Sequence, residues 1–191
     1  MPSSLVTLAE YKAYVGITST NQDTAISNIV PKVSDFVKNY CRRTFIDYVT
    51  VPKVEIASGG YGSSLFMSEY PLIAVASFQA SVDYGQTYTT LVEFTDYVVD
   101  KETGTLLSLN EYGFLKYING YKITYTAGYQ ELPGDLKLAV LDLVTYYLKS
   151  DMTIHSTKSP GSNSTQIEYI TTTALPSHIK RVLDLHMGSY D

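Results

Sequence analysis

The sequence predicts an α+β fold, in which N-terminal and C-terminal helices form a helical bundle with a central small antiparallel β-sheet or hairpin insertion. Two changes of periodicity indicate this class. Apolar side chains recur every three or four positions in residues 1–45, alternate in residues 46–129, and return to the helical period in residues 130–150. We therefore expect a single domain over residues 1–150, followed by a flexible loop and a C-terminal helix over residues 151–191.

Two helices are predicted in the N-terminal block. Thr7 can cap the first helix, and Gly16 supplies the left-handed residue that ends it. Along the second helix, apolar side chains lie three and four positions apart and form one stripe: Ile26, Ile29, Val30, Val33, Phe36, Val37, Tyr40 and Cys41. The stripe predicts that this helix buries one face in a core.

The clearest hairpin of the central block is expected around Asn119 and Gly120. This dipeptide accepts the positive φ angles of a two-residue type I′ turn. Residues 113–118 and 121–126 on either side are rich in apolar and aromatic side chains. The pattern predicts that these two segments pair as antiparallel strands.

A second hairpin is expected to join residues 94–99 to residues 105–108. The intervening residues 100–104 contain Asp, Thr and Gly, which are typical of turns. Together the two hairpins predict a small antiparallel sheet assembly in this block.

The third block predicts the strongest helix in the chain, from about Asp135 to Ser150, opened by Pro133. Its wide apolar stripe is expected to pack against the stripe of the second helix and consists of Leu136, Val140, Leu143, Val144 and Tyr147. A last short helix is predicted to begin at Pro176 and to end at Gly188.

Charge and composition exclude several classes of protein. The 191 residues include 14 Lys and Arg against 19 Asp and Glu, which gives a net charge of −5. Because the chain has no basic excess to neutralise phosphates, we do not expect tight nonspecific DNA binding. No apolar run approaches the roughly 20 residues that span a bilayer, and the N-terminus lacks the pattern of a secretory leader. We expect no contact with a membrane.

Motifs for catalysis, metals and cofactors are absent from the sequence. It contains no phosphate-binding loop, dinucleotide fingerprint, Cys-x-x-Cys or His-Glu-x-x-His. His178 and His186 are eight positions apart on one predicted helix, whereas helical metal ligands stand three or four apart. Cys41 is expected to be a buried structural residue. We therefore assign no catalytic residue, no metal ligand and no cofactor, and we expect a protein without enzymatic activity.

Several short segments follow one another in a recognisable order, covering roughly residues 5–150. They run from Leu8 to Gly16, from Tyr40 to Phe45, from Tyr70 to Val75, from Tyr97 to Leu106 and from Lys122 to Val140. In this order and spacing, the chain resembles the phage head–tail connector proteins of the gp6-like adaptor family.

The resemblance implies a structural virion protein rather than an enzyme. Its copies would form a ring homo-oligomer, a dodecamer in the virion, below the portal protein, and would extend the DNA channel. The implied partners are the portal protein and a neck, tail-completion or tail protein, while viral DNA passes through without specific binding. The implied location is the neck at the head–tail interface, with the host cytoplasm during assembly.

Two sets of site residues are expected on this reading. The C-terminal segment is expected to order on assembly, and the alternative is that its helix docks on the core of its own subunit. In the first case it contacts the portal or the adjacent subunit through one face of its helix and the residues beyond it: Ile179, Val182, Leu183, His186 and Tyr190. The channel lining is expected to be acidic or neutral, so that DNA slides without being held, and to use Glu131, Asp135 and Asp142.

Two alternatives stay open. The chain has 18 tyrosines, which could form a platform of amphipathic rings on a β-containing binding module for glycan or another tail component. Catalytic carboxylates on separate loops could also meet in space in a hydrolase.

Overall fold

The computed structural model describes residues 3–149, 155–157, 166–168 and 175–188. The α+β class is confirmed, because helices and antiparallel strands alternate in blocks along the described chain. The helices are α1 (Leu8–Val15), α2 (Asp23–Cys41), α3 (Gly134–Lys149) and α4 (Ser177–Leu185). The strands are β1 (Lys53–Ala57), β2 (Ser64–Phe66), β3 (Leu72–Ala80), β4 (Thr89–Thr90), β5 (Tyr97–Asp100), β6 (Thr105–Ser108), β7 (Tyr121–Ala127), β8 (His155–Thr157) and β9 (Gln166–Glu168). Among these helices, none is both long and apolar enough to cross a membrane.

The chain divides into two compact units. The sheet unit comprises Met1–Ser3, Arg42–Leu132 and Gly188–Asp191, and the helical unit comprises Ser4–Cys41 and Pro133–Met187.

Helix α1 of the helical unit has a capping residue at each end. The Thr7 side chain accepts a hydrogen bond from the Glu10 amide at 3.2 Å, and the Glu10 carboxylate accepts one from the Thr7 amide at 2.7 Å. This reciprocal arrangement is a capping box, which satisfies two amides that the first turn leaves without helical partners. Gly16 ends the helix at φ 76°, in the left-handed region that a residue without Cβ adopts most easily. Both predicted ends of α1 are confirmed.

Helix α3 packs against α2, and α4 packs against both. The α2 and α3 stripes supply the buried side chains of this core: Ile26, Val30, Val33, Val37, Leu136, Val140, Leu143 and Val144. At the end of the stripes the rings of Phe36 and Tyr147 meet edge to face, with centroids 6.4 Å apart. The predicted packing of the two stripes is confirmed. Helix α4 ends at Leu185 with His186 as its C-cap, earlier than the predicted end at Gly188.

The sheet unit contains a four-stranded sheet in the order β1-β7-β3-β4 and a three-stranded sheet in the order β2-β6-β5. Strand β7 lies inside the first sheet and buries every second residue, namely Tyr121, Ile123, Tyr125 and Ala127. Phe78 of β3 joins them, and its ring meets that of Tyr97 edge to face at 4.8 Å. Alternating burial of this kind is typical of a sheet with one face on the core.

The predicted hairpin between β5 and β6 is confirmed, with Asp100 opposite Thr105. Its first strand begins at Tyr97 rather than at residue 94. The Asp100 carboxylate accepts hydrogen bonds from the Glu102 amide at 3.1 Å and the Thr103 hydroxyl at 2.8 Å. These bonds lower the pKa of Asp100, with the Thr103 hydroxyl as the main cause. The Asp and Thr residues from which the turn was predicted therefore also stabilise it.

The predicted hairpin around Asn119 and Gly120 is wrong. Both edges of β7 are taken by β1 and β3, so residues 113–118 do not pair with it. They run instead along residues 59–62, to which they are held by backbone hydrogen bonds. Asn119 does adopt a positive φ of 52°, but Gly120 does not, and the turn closes with the Gly120 amide bonded to the Tyr117 carbonyl at 3.2 Å. A type I′ turn needs positive φ at both central residues.

Candidate interface surfaces

The first candidate surface is a groove between α3 and α4 in the helical unit, with a cavity of about 140 Å³. It brings together four of the predicted site residues, the channel acids Asp135 and Asp142 and the interface residues Ile179 and Val182. The remainder of the lining consists of Leu138, Ala139 and His178. The sequence placed these residues in separate roles, whereas the fold places them on one surface.

Both acids of this groove have partners within the helical unit. His186 Nε2 lies 2.9 Å from Asp135 Oδ2, and this hydrogen bond lowers the pKa of Asp135. The Tyr14 hydroxyl donates to Asp142 at 2.8 Å, and the bond to this carboxylate raises the pKa of Tyr14. The contact with His186 favours the ionised carboxylate of Asp135.

Helix α4 is held in place by contacts with α2. Ile179 and Leu183 are buried within their own subunit. The Tyr40 hydroxyl donates to Asp184 at 2.6 Å, which raises the pKa of Tyr40 to about 12. The Cys41 thiol, buried as predicted, donates to the Leu183 carbonyl oxygen at 3.5 Å. In this position Ile179 and Leu183 lie in the core of the helical unit.

The remaining predicted site residues lie at different levels of exposure. Val182 and His186 are half-buried, and Glu131 is exposed in the sheet unit. Tyr190 lies outside the described residues, as does most of the polar loop predicted between α3 and α4. The roles assigned to all these residues stay predictions.

A second candidate surface is an apolar groove between α2 and α3, with a cavity of about 300 Å³. Its lining is almost entirely apolar and consists of Ile29, Val33, Phe36 and Tyr147, with Lys32 as its charged member. Sequence reasoning treated the apolar side chains of this groove as core and placed Lys32 on the opposite face of α2. The width of the apolar stripe could have shown which of its residues line a surface groove, because Ile29 and Phe36 lie at the margins of the stripe rather than on its centre line.

A third candidate surface is the turn before β5 in the sheet unit. Phe94 is 79% exposed, and Val92 beside it is also exposed. The sequence prediction assigned Phe94 to a strand, although Asp96, a residue type depleted in strands, stands two positions later. The Asp96 carboxylate accepts a hydrogen bond from the Val92 amide at 2.7 Å and so builds a turn at this point.

Some tyrosines of the central block belong to the core of the sheet unit, whereas Tyr61 and Tyr84 are exposed. Tyr97, Tyr121 and Tyr125 are buried. The Tyr125 hydroxyl donates to Glu55 at 2.5 Å, and burial together with this bond raises the pKa of Tyr125. These rings are therefore not available to stack on a glycan.

Two buried charges in the sheet unit also have structural roles. Glu69 accepts hydrogen bonds from the Thr44 amide at 2.9 and 3.2 Å. The Arg43 guanidinium lies 3.4 Å from the centroid of the Tyr70 ring and donates to the Tyr70 carbonyl oxygen. Stacking on an aromatic ring suits a buried guanidinium, which is planar and weakly hydrated. Across the described chain, no three His, Cys, Asp or Glu side chains converge to hold a metal ion.

Comparison with known proteins places this fold among virion components. A family model described as head completion protein matches residues 4–187. No curated protein matches the sequence significantly.

Among the solved structures that share the fold, three come from gene transfer agent (GTA) particles. A chain from the neck of an empty GTA particle, computed with C6 symmetry, aligns with a TM-score of 0.61 and 15% identity, covering 98% of this chain and 91% of that one. A second chain, from the neck of a native GTA particle computed with C12 symmetry, aligns with a TM-score of 0.57 and 15% identity. The alignment covers 100% of this chain and 97% of that one. A third, from the virion of a native gene transfer agent (GTA) particle, aligns with a TM-score of 0.60 and 13% identity, covering 98% and 91%.

Proposed function

Because this chain belongs to the head completion protein family and is a structural protein that connects head and tail, we propose that it forms a ring in the virion neck, below the portal protein. The observation that carries the ring is the fold shared, over almost the whole chain, with neck components computed with sixfold and twelvefold symmetry. By analogy with these particles we propose twelve copies, and no catalytic activity.

The ring is proposed to extend the channel through which viral DNA passes. The acidic face of α3 with Asp135 and Asp142 supports this role, as does the net charge of −5. Negative charge near the duplex repels its phosphates at short range, so DNA can move without being held. Glu131, which is exposed in the sheet unit, is proposed separately as a channel-lining residue.

The channel proposal predicts that the isolated protein does not bind duplex DNA at physiological salt. A gel-shift titration tests this expectation. The matched variants are Asp135→Lys with Asp142→Lys, which reverse charge on the proposed lining, and Asp35→Lys, which reverses an exposed charge on α2. In assembled rings, only the double variant should retain DNA, with an affinity that falls steeply as salt rises. Retention of DNA by the wild-type ring with that salt dependence would contradict the proposal.

We also propose that the C-terminal segment contacts the portal protein or the adjacent subunit. Since α4 buries Ile179 and Leu183 in its own subunit, the contact uses the half-buried Val182 and His186, the segment through Tyr190, and Leu185, which is 74% exposed. An exposed leucine at the end of a docked helix is suited to an interface with a second protein.

Leu185→Asp and Leu183→Asp form a matched pair that separates docking from partner binding. Leu185→Asp should leave a monomer with wild-type melting behaviour that no longer joins portal particles, as seen by electron microscopy of the mixture. Leu183→Asp should lower monomer stability strongly, because it buries an unpaired charge. If Leu185→Asp particles carry normal rings, the interface lies elsewhere. Absence of rings from a mixture of wild-type protein and its cognate portal would overturn the proposed function.

A further inference from the structure

The turn before β5 presents a rigid apolar knob, formed by Val92 and Phe94. Phe94 adopts a positive φ of 64°, a conformation that is unfavourable for a bulky residue. Backbone bonds hold it there: the Phe94 amide donates to the Tyr97 carbonyl at 2.7 Å, and the Asp96 amide donates to the Val92 carbonyl at 2.8 Å. The knob therefore exposes a large ring on a backbone that the surrounding turn constrains.

The apolar groove between α2 and α3 has the size and lining to receive such a ring. A dry cavity of about 150 Å³ lined by apolar side chains binds benzene. The groove is larger, at about 300 Å³, and the edge-to-face pair of Phe36 and Tyr147 forms part of its wall. A further aromatic ring can extend that pair, since aromatic rings favour such tilted contacts.

The charges beside the knob and the groove are complementary. Glu93 is exposed between the two knob residues, and Lys32 is exposed at the groove. An opposite pair at the rim steers the ring into its pocket and disfavours other partners.

We propose that Phe94 of one subunit inserts into the α2–α3 groove of the next subunit. The inference rests on the proposed ring and names the contact that closes it. A knob and a groove at different places on the same chain make a heterologous, head-to-tail contact, and such contacts generate rings when the rotation closes. Glu93 pairs with Lys32 of the neighbouring copy at the rim of this contact.

Phe94→Asn tests the knob without disturbing the turn, because asparagine tolerates positive φ. The monomer should melt at the wild-type temperature or above it, while subunit association should weaken by about 30-fold or more, as for an aromatic hot spot. Tyr84→Asn is the matched control, since Tyr84 is also an exposed aromatic residue, at 69%, with a positive φ of 62°. Sedimentation velocity and imaging of portal-bound rings measure both variants, and equal assembly by both would overturn the proposal.

A cysteine pair tests the contact directly. Subunits with Phe94→Cys are mixed with subunits carrying Ile29→Cys, assembled on portal particles and oxidised. A disulfide should link the two variants in rings but not in monomers, and the native Cys41 does not interfere because it is buried. Cross-linking of Phe94→Cys to the portal, or protection of the groove by the subunit's own chain in the monomer, would overturn the contact.

The two proposals fail differently. If wild-type protein forms no ring on portal particles, the proposed function is wrong. If wild-type rings form while Phe94→Asn assembles normally and no disulfide appears, the ring stands and the knob contact is wrong. As a final check, Glu93→Lys and Lys32→Glu should each weaken assembly, and their combination in every subunit should restore it.

Discussion

Truncation of Leu143 to alanine measures how strongly the α3 stripe stabilises the helical unit. Leu143 is 0% exposed, in the core that α2, α3 and α4 share. The substitution removes three buried carbon atoms, which at about 0.8 kcal/mol each amounts to about 2.4 kcal/mol of transfer free energy. The cavity left behind raises the loss to about 3–5 kcal/mol. For a chain of this length, the melting temperature should fall by about 6–20 °C.

Urea denaturation followed by circular dichroism provides the assay, and Leu138→Ala provides the control. Leu138 lies on the same helix but is 48% exposed, so its truncation should change the free energy of unfolding by about 0.5 kcal/mol or less. Leu143→Asp should give no folded protein at neutral pH, because no partner neutralises a carboxylate at that position. Coincident urea midpoints for the two alanine variants, or a wild-type melting curve for Leu143→Asp, would refute the packing of α3.

Three further substitutions test separate contacts. Thr7→Ala removes the acceptor of the α1 cap and should lower the free energy of unfolding by about 1 kcal/mol, so an unchanged urea midpoint would argue against the cap. Gly128→Ala would place Cβ 2.2 Å from a backbone carbonyl oxygen at φ 109°, so its melting temperature should fall, whereas Gly60→Ala meets nothing within 4 Å and should not change it. Because the bond to His186 lowers the folded-state pKa of Asp135, Asp135→Asn should reduce stability slightly at neutral pH. That difference should vanish as pH falls through the lowered pKa and the wild-type carboxyl becomes protonated, and a difference that persists in acid would contradict this contact.

Predictions from the sequence were confirmed where a turn or a helix end is determined by residues close to it in the chain. Thr7 and Gly16 bound α1 because a cap and a left-handed stop act on the nearest turn. Asp100 and Thr103 shape the turn between β5 and β6 through bonds to neighbouring groups. The helical stripes were also readable, because their period reports which face is buried.

The pairing of strands that are distant in the chain could not be predicted from such local signals. The Asn119-Gly120 signal suggested a local partner for β7, yet β7 has β1 and β3 on its two edges. Strand β3 pairs with β7 at seven positions, and burial of a whole sheet face outweighs the preference of one turn.

The sequence by itself determined the fold class, the two ends of α1, the negative charge and the absence of recognisable catalytic motifs, because each depends on composition or on short-range signals. Only the tertiary structure decided which apolar residues remain available for partners. In the structure, Ile179 and Leu183 are buried in their own subunit. Phe94, which the sequence pattern assigned to a strand, is exposed. The physical reason is that the exposure of a side chain depends on which helices and strands pack against it, and these come from distant parts of the chain.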